Sequence, residues 1–186
     1  MDDLIVFNKP YGVICQFSAH EKHGCLKDYI NEPGFYPAGR LDTDSEGLLL
    51  LTNNGRLQAQ IAEPKYQKEK TYWAQVEGLP DEARLDGLRA GLDLGDFVTR
   101  PAKVRVLAAE EVQRLWPRHP PIRERKTVPD FWLEIKISEG KNRQVRRMTA
   151  KAGYPCLRLV RVAVGRLNLF DLGLDLGGWR FSEERP

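Results

Sequence analysis

With 186 residues, 41% of them hydrophobic and 30% charged, the chain is long enough to bury a core and has no apolar run approaching a membrane span, so it reads as one ordinary soluble domain or two closely packed lobes. Cys15, Cys25 and Cys156 are odd in number and form no CxxC pair, which excludes a disulfide framework or a zinc ribbon; with no basic-then-apolar leader in MDDLIVFNKPYG, the expected location is the cytoplasm. The net charge of +3 is segregated: residues 1–99 carry 10 Lys and Arg against 16 Asp and Glu, residues 100–166 carry 17 against 6, and this pattern suits either a surface for a polyanion or a basic face that is merely solvated.

In chain order, LIVFNKP is an opening strand ended by Pro10 and Gly12. FYPAGR and GLLLLTN are strands on either side of an acidic loop, and Asn53, Asn54 and Gly55 supply turn residues after them. RLQAQIAEP is a short helix stopped by Pro64. KTYWAQVEG is a strand with Tyr72, Ala74 and Val76 on one side. PDEARLDGLRAG is a helix with Asp81 as N-cap, Leu85 and Leu88 inward and Gly91 as its stop. PAKVRVLA and FWLEIKIS are strands, the second alternating through Phe131, Leu133, Ile135 and Ile137. GKNRQVRRMTAKAG is a helix with Val145, Met148 and Ala152 inward, and LRLVRVAVGRLNL is a closing strand. Strands outnumber helices without regular β-α alternation, so the expected class is α+β with a mostly antiparallel central sheet.

The acidic loop lies within GRLDTDSEGLLLLTNNG, residues 39–55. Asp42, Asp44, Glu46 and Gly47 match the first half of a calcium-binding EF-hand loop, which then needs a bidentate Glu at its twelfth position. That position is Asn53, and Leu48–Leu51 form an apolar strand where ligands belong, so the metal reading fails. One carboxylate is then left as a candidate catalytic group, with Asp44 and Glu46 as loop residues. A carboxylate working at neutral pH in a partly buried site is helped by an arginine that holds its pKa down. Arg143, Arg146 and Arg147 on a helix face offer such a partner, although from the residues alone a solvated basic face is the favoured reading. Tyr72 by itself reads as a tyrosine at a core edge, and Lys9, Pro10 and Gly12 as a structural turn. HEKH at 20–23 lacks the HExxH spacing, so no zinc site with Cys25 is expected.

NKPYG (8–12), GRLDTDSEGLLLLTNNG (39–55), EKTY (69–72) and EGKNRQVRRM (139–148) occur in the order seen in pseudouridine synthases, and the chain resembles the branch of that family that modifies ribosomal RNA at single sites. The second and fourth motifs are long, and the matches extend over most of the chain. The resemblance implies a single α+β catalytic domain over 1–186, with flanking helices and a central cleft, and no accessory RNA-binding domain ahead of it. It implies an isomerase that detaches uracil from C1′ of a uridine, turns the base and rejoins it through C5, using no metal, nucleotide or redox cofactor. Asp42 would be the catalytic aspartate, acting as nucleophile at C1′ or as base at C2′. Arg146 would be its arginine partner and Tyr72 the aromatic that stacks on the target base. Leu159 would give an apolar contact, and Arg40, Lys70, Arg143 and Arg147 would contact substrate.

The irregular insert RLWPRHPPIRERK, 114–126, sets Arg118, Arg123 and Arg125 beside Trp116 and His119. Such a mixture suits RNA backbone and base contact, and an inert loop is its plain alternative. Together with EGKNRQVRRM, the insert resembles more narrowly the members that act on the large ribosomal subunit. The expected partner is therefore 23S ribosomal RNA, free or in an assembling subunit, bound by a monomer with no membrane contact. A synthase of the same chemistry for small-subunit or transfer RNA, and a non-catalytic ribosome-assembly factor, are the alternatives.

Overall fold

The apolar run near the start forms the strand Leu4–Lys9 (β1), buried at every residue. A continuous run, rather than an alternation, is what a strand covered on both faces requires. The computed structural model describes residues 2–186. Its chain divides into two units, one made of the chain up to Lys68 together with Arg161–Pro186, the other of Glu69–Val160.

In the first unit, Val13–Ile14 (β2) pairs in parallel with Gly24–Cys25 (β3). Tyr36–Ala38 (β4) and Glu46–Thr52 (β5) follow, and the four leucines of β5 are wholly buried. β5 runs antiparallel to β1, with Val6 opposite Leu50, and antiparallel to β4, with Pro37 opposite Leu51. The helix Gly55–Ala62 (α1) starts at Asn54, whose side chain accepts from the N–H groups of Arg56 and Leu57 at 3.0 and 3.2 Å. Asn54 is thus an N-cap as well as a turn residue. Leu57 and Ile61, four apart, are the buried face of α1, and a 3-10 turn over Pro64–Tyr66 follows its end.

The second unit contains Lys70–Glu77 (β6), Glu82–Ala90 (α2), Lys103–Val106 (β7), Ala109–Val112 (α3), Asp130–Ile137 (β8) and Gln144–Lys151 (α4). β8 pairs antiparallel with β6, Tyr72 opposite Ile135, and with β7, Val104 opposite Ile135. Its core gathers Ala74 and Val76 of β6, Leu133, Ile135 and Ile137 of β8, Leu85 and Leu88 of α2, and Val145 and Met148 of α4. The expected alternation therefore meets the expected helix faces. Asp81 caps α2 through a 3.1 Å bond from the Arg84 N–H. Tyr154, with no exposed surface, donates its hydroxyl to the Leu79 carbonyl at 3.0 Å and accepts from the Asp81 N–H at 2.9 Å.

The start of α4 and the course of the closing strand differ from expectation. α4 begins at Gln144, with Arg143 at its N-cap in the left-handed region at φ +52°. Arg143 therefore precedes the helix instead of lying on its face. The run LRLVRVAVGRLNL is a hairpin rather than one strand: Cys156–Val164 (β9) turns at Gly165, φ +55°, and pairs back with Leu167–Asn168 (β10). Glycine adopts that φ at no steric cost, which is why the break falls there. β9 carries residues of both units, up to Val160 in the second and from Arg161 in the first. Leu169–Leu172 (α5) and Trp179–Phe181 (β11) complete the first unit, β11 pairing antiparallel with β1. The fold is α+β and, apart from β2 and β3, the pairs described are antiparallel.

Candidate active site

The acidic loop joins β4 to β5 and is flanked by Gly39 at φ +72° and Gly47 at φ +103°. Both conformations are ones that residues with a Cβ rarely adopt. Between them the backbone is fixed from several directions. The Asp42 carbonyl accepts from the Ser45 N–H at 3.0 Å, and the Thr43 carbonyl accepts from the Gly12 N–H at 2.8 Å. Arg40 is exposed and donates Nη2 to the Cys15 carbonyl at 2.9 Å. Arg161 donates Nε to the Leu48 carbonyl at 2.9 Å and Nη2 to the Gly39 carbonyl at 2.8 Å. Asp42 itself is half-buried.

Beneath this loop lies Lys9, fully buried. Its Nζ donates to the carbonyls of Val13 at 2.7 Å, Pro10 at 3.0 Å and Thr43 at 3.4 Å. Burial pushes the amine down from its ordinary value to about 8, against the opposing pull of Cys15, Glu46, Asp44 and Asp42. Lys9 is thus the last residue of β1 rather than part of a turn, which falls at Tyr11 and Gly12, and it supports the Asp42 loop from below. Glu46, expected in the loop, is the first residue of β5 and only 1% exposed, because the strand starts one residue before Gly47. Asp44 stays in the loop, half-buried. A half-buried carboxylate on a backbone held this firmly can keep one position while a reacting group is brought to it.

The remaining expected residues belong to the second unit. Tyr72 is half-buried on β6 and packs against that unit's core, and Lys70, two residues earlier on the strand, is 7% exposed. Leu159 is a member of the same core. Arg146 is half-buried on α4. Arg147 is committed nearby: it is bonded through both terminal nitrogens to the Asp96 carboxylate, and Nη2 also reaches the Leu94 carbonyl at 3.3 Å. Its guanidinium stands 5.5 Å from the centre of the Phe97 ring. The Arg147 bond holds the Asp96 carboxyl below the usual carboxylate range and raises Arg147 in turn. Arg143, exposed at the helix cap, is placed differently.

The insert is pinned by residues the sequence did not single out. Arg158, 7% exposed, donates Nη2 to the Trp116 carbonyl at 2.8 Å and lies 5.9 Å from the ring centres of both Trp116 and Trp132. Arg125 pairs with Glu77 at 3.3 Å, and Arg118 donates Nε to the Pro120 carbonyl at 2.8 Å. Arg123 is exposed. The one signal for Arg158 and Arg161 was their position as charged residues inside an apolar run. His20 and His23 lie as a ring pair with centres 5.2 Å apart. Among the described residues no group of three or more His, Cys, Asp or Glu is placed to hold a metal ion, and no helix is long and apolar enough to cross a membrane.

Comparison with known proteins extends these observations. A family model described as RNA pseudouridylate synthase matches residues 3–151. The chain is 53% identical over 184 residues to a ribosomal large subunit pseudouridine synthase E of Xanthomonas campestris pv. campestris, covering 98% of this chain and 96% of the relative. It is 50% identical over 177 residues to the synthase of the same name from Vibrio vulnificus, covering 95% and 74%. A ribosomal large subunit pseudouridine synthase B of Bacillus subtilis is 36% identical over 166 residues, covering 88% and 62%. Among solved structures, one described as a pseudouridylate synthase superposes with a TM-score of 0.76 at 27% identity, over 97% of this chain and 70% of that one.

Proposed function

The chain belongs to the RNA pseudouridylate synthase family, and from that premise we propose how it acts and on which RNA. The reaction is an isomerisation: the N1–C1′ bond of a uridine breaks, a C5–C1′ bond forms, and C5 loses a proton while N1 gains one. No oxidant, reductant or group donor is consumed. Asp42 is the carboxylate that acts at the ribose. Attack at C1′ and proton removal at C2′ both start from the same ionised group, so the assignment serves either route. Arg146 is the arginine assigned to serve Asp42 in the reaction, and Tyr72 is the ring that stacks on the base. The observation that carries this reading is the anchoring of the Asp42 loop by Gly12, Lys9, Arg40 and Arg161. Merely solvated acids need no such framework.

The substrate is the RNA of the large ribosomal subunit, 23S RNA. The names of the Xanthomonas and Vibrio relatives support this, as does the basic excess of residues 100–166. Arg143 and Arg123, both exposed, grip phosphates, so affinity falls as salt rises. Arg40 and Lys70 lie near the residues that act on the uridine in sequence, and Leu159 supports the base contact from the core. One chain holds every residue assigned to the chemistry, which supports action as a monomer, and three free cysteines suit the reducing cytoplasm. The test is pseudouridine formation in separate large-subunit, small-subunit and transfer RNA. Modification of a single uridine in large-subunit RNA is expected; modification only of another class would overturn the substrate assignment.

A further inference from the structure

Arg161 is 3% exposed and stands in β9 between Val160 and Val162, which are 0% and 1% exposed. A guanidinium in such surroundings costs far more to bury than an apolar side chain of similar size, so its retention calls for a reason. Its two hydrogen bonds supply one. Nε reaches the Leu48 carbonyl at 2.9 Å and Nη2 the Gly39 carbonyl at 2.8 Å. Gly39 lies three residues before Asp42 and Leu48 six residues after it, so one side chain bonds the backbone on both sides of the acidic loop. The Gly39 carbonyl lies just past the last residue of β4, and the β4–β5 register ends at Ala38 opposite Leu50. A side-chain donor is therefore what fixes that carbonyl.

We propose that Arg161 is a positioning residue for the reaction, holding the two ends of the Asp42 loop at one separation and so setting where the Asp42 carboxylate stands. This rests on the assignment of Asp42 above. The planar guanidinium offers two N–H groups on one edge in a fixed relation, which ties the two carbonyl oxygens to each other. A lysine ammonium on a flexible stem keeps the charge without that fixed fork. The other anchors each engage a single point of the loop: Gly12 and Lys9 bond Thr43, and Arg40 reaches from the loop to the Cys15 carbonyl. Arg161 alone of these bonds both of its flanks.

Single-turnover pseudouridine formation on saturating 23S RNA, with RNA affinity and thermal melting measured in parallel, tests this in Arg161→Lys and Arg161→Met, with Asp42→Asn alongside. The expected rate constant falls about 10-fold in the lysine variant and about 100-fold in the methionine variant, since a displacement near 1 Å carries a cost of that order. RNA affinity is expected to stay within about threefold of wild type, because no phosphate contact is removed. Arg161→Lys decides the matter if Arg161→Met does not fold. A folded Arg161→Lys with the wild-type rate constant overturns the inference, as does a loss confined to melting temperature. If Asp42→Asn keeps the wild-type rate, the catalytic assignment fails and this inference with it; if Asp42→Asn is inactive while both Arg161 variants are folded and fully active, only this inference fails.

Discussion

Lys9 reaches the Thr43 carbonyl from inside the core, 3.4 Å from its Nζ, and so ties the end of β1 to the residue after Asp42. Its two other bonds, to Pro10 and Val13, use the remaining N–H groups of a protonated amine. Burial sets the amine near 8, below its ordinary 10.5. In the window between those values the unfolded chain holds a proton that the folded chain has released. The contribution of this group to stability therefore rises as pH increases from about 8 towards 10.5. Activity moves the other way, because a neutral amine has two donors for three carbonyls. The rate is expected to fall above pH of about 8, with the limb absent in Lys9→Met. A pH–rate profile of both proteins, with melting at each pH, checks both directions; a limb unchanged in Lys9→Met would separate Lys9 from the loop.

Arg147 bonds Asp96 and the Leu94 carbonyl and lies over Phe97, so it acts first as a brace for the loop around residues 92–99. Arg147→Ala is expected to weaken RNA binding by less than threefold and to lower the salt slope by less than about one counterion. Binding measured across a salt series distinguishes this from a phosphate contact, which would remove about one full counterion.

The insert is held at its base by Arg158 and Trp116 and on its return by Arg125 and Glu77. Removing residues 117–125 takes away three arginines while leaving Trp116 on Arg158. RNA affinity is expected to fall about 10-fold or more and the salt slope by about 2, with cooperative melting retained. An unaltered rate and affinity on 23S RNA would remove the insert from substrate recognition.

Tyr154 links Leu79 and Asp81 through one buried hydroxyl. Tyr154→Phe is expected to cost about 1–3 kcal/mol in stability, because it leaves a carbonyl and an N–H without this partner. The rate per folded molecule is expected to be unchanged, since the site lies in the core. Denaturant unfolding and kinetics on one preparation measure the two effects.

Local patterns made much of this fold legible. The alternation of Leu133, Ile135 and Ile137 marked β8, Asp81 marked the start of α2, and the leucine run marked an apolar strand. The acidic loop was legible as a site candidate because no calcium geometry completes it. Its supports were not. The bonds from Lys9 to Thr43 and from Arg161 to Gly39 join residues 34 and 122 positions apart through backbone carbonyls, which leave no mark in side-chain identity. Periodicity likewise gave no warning that Arg147 is occupied by Asp96, since that acid sits in a loop. The apolar residues on both sides of Gly165 fit one strand or a hairpin equally well, which is why the closing hairpin reads as a single strand.

The role proposed for Asp42 depends on its charge, which Asp42→Asn removes while keeping the size of the side chain. Pseudouridine formed in 23S RNA by wild type and by this variant should be compared under single-turnover conditions, with RNA binding measured on the same samples. One modified uridine is expected with wild type and, in the variant, a rate lower by at least about 1000-fold with binding retained. A folded, RNA-binding Asp42→Asn that modifies the same uridine at the wild-type rate would contradict that role.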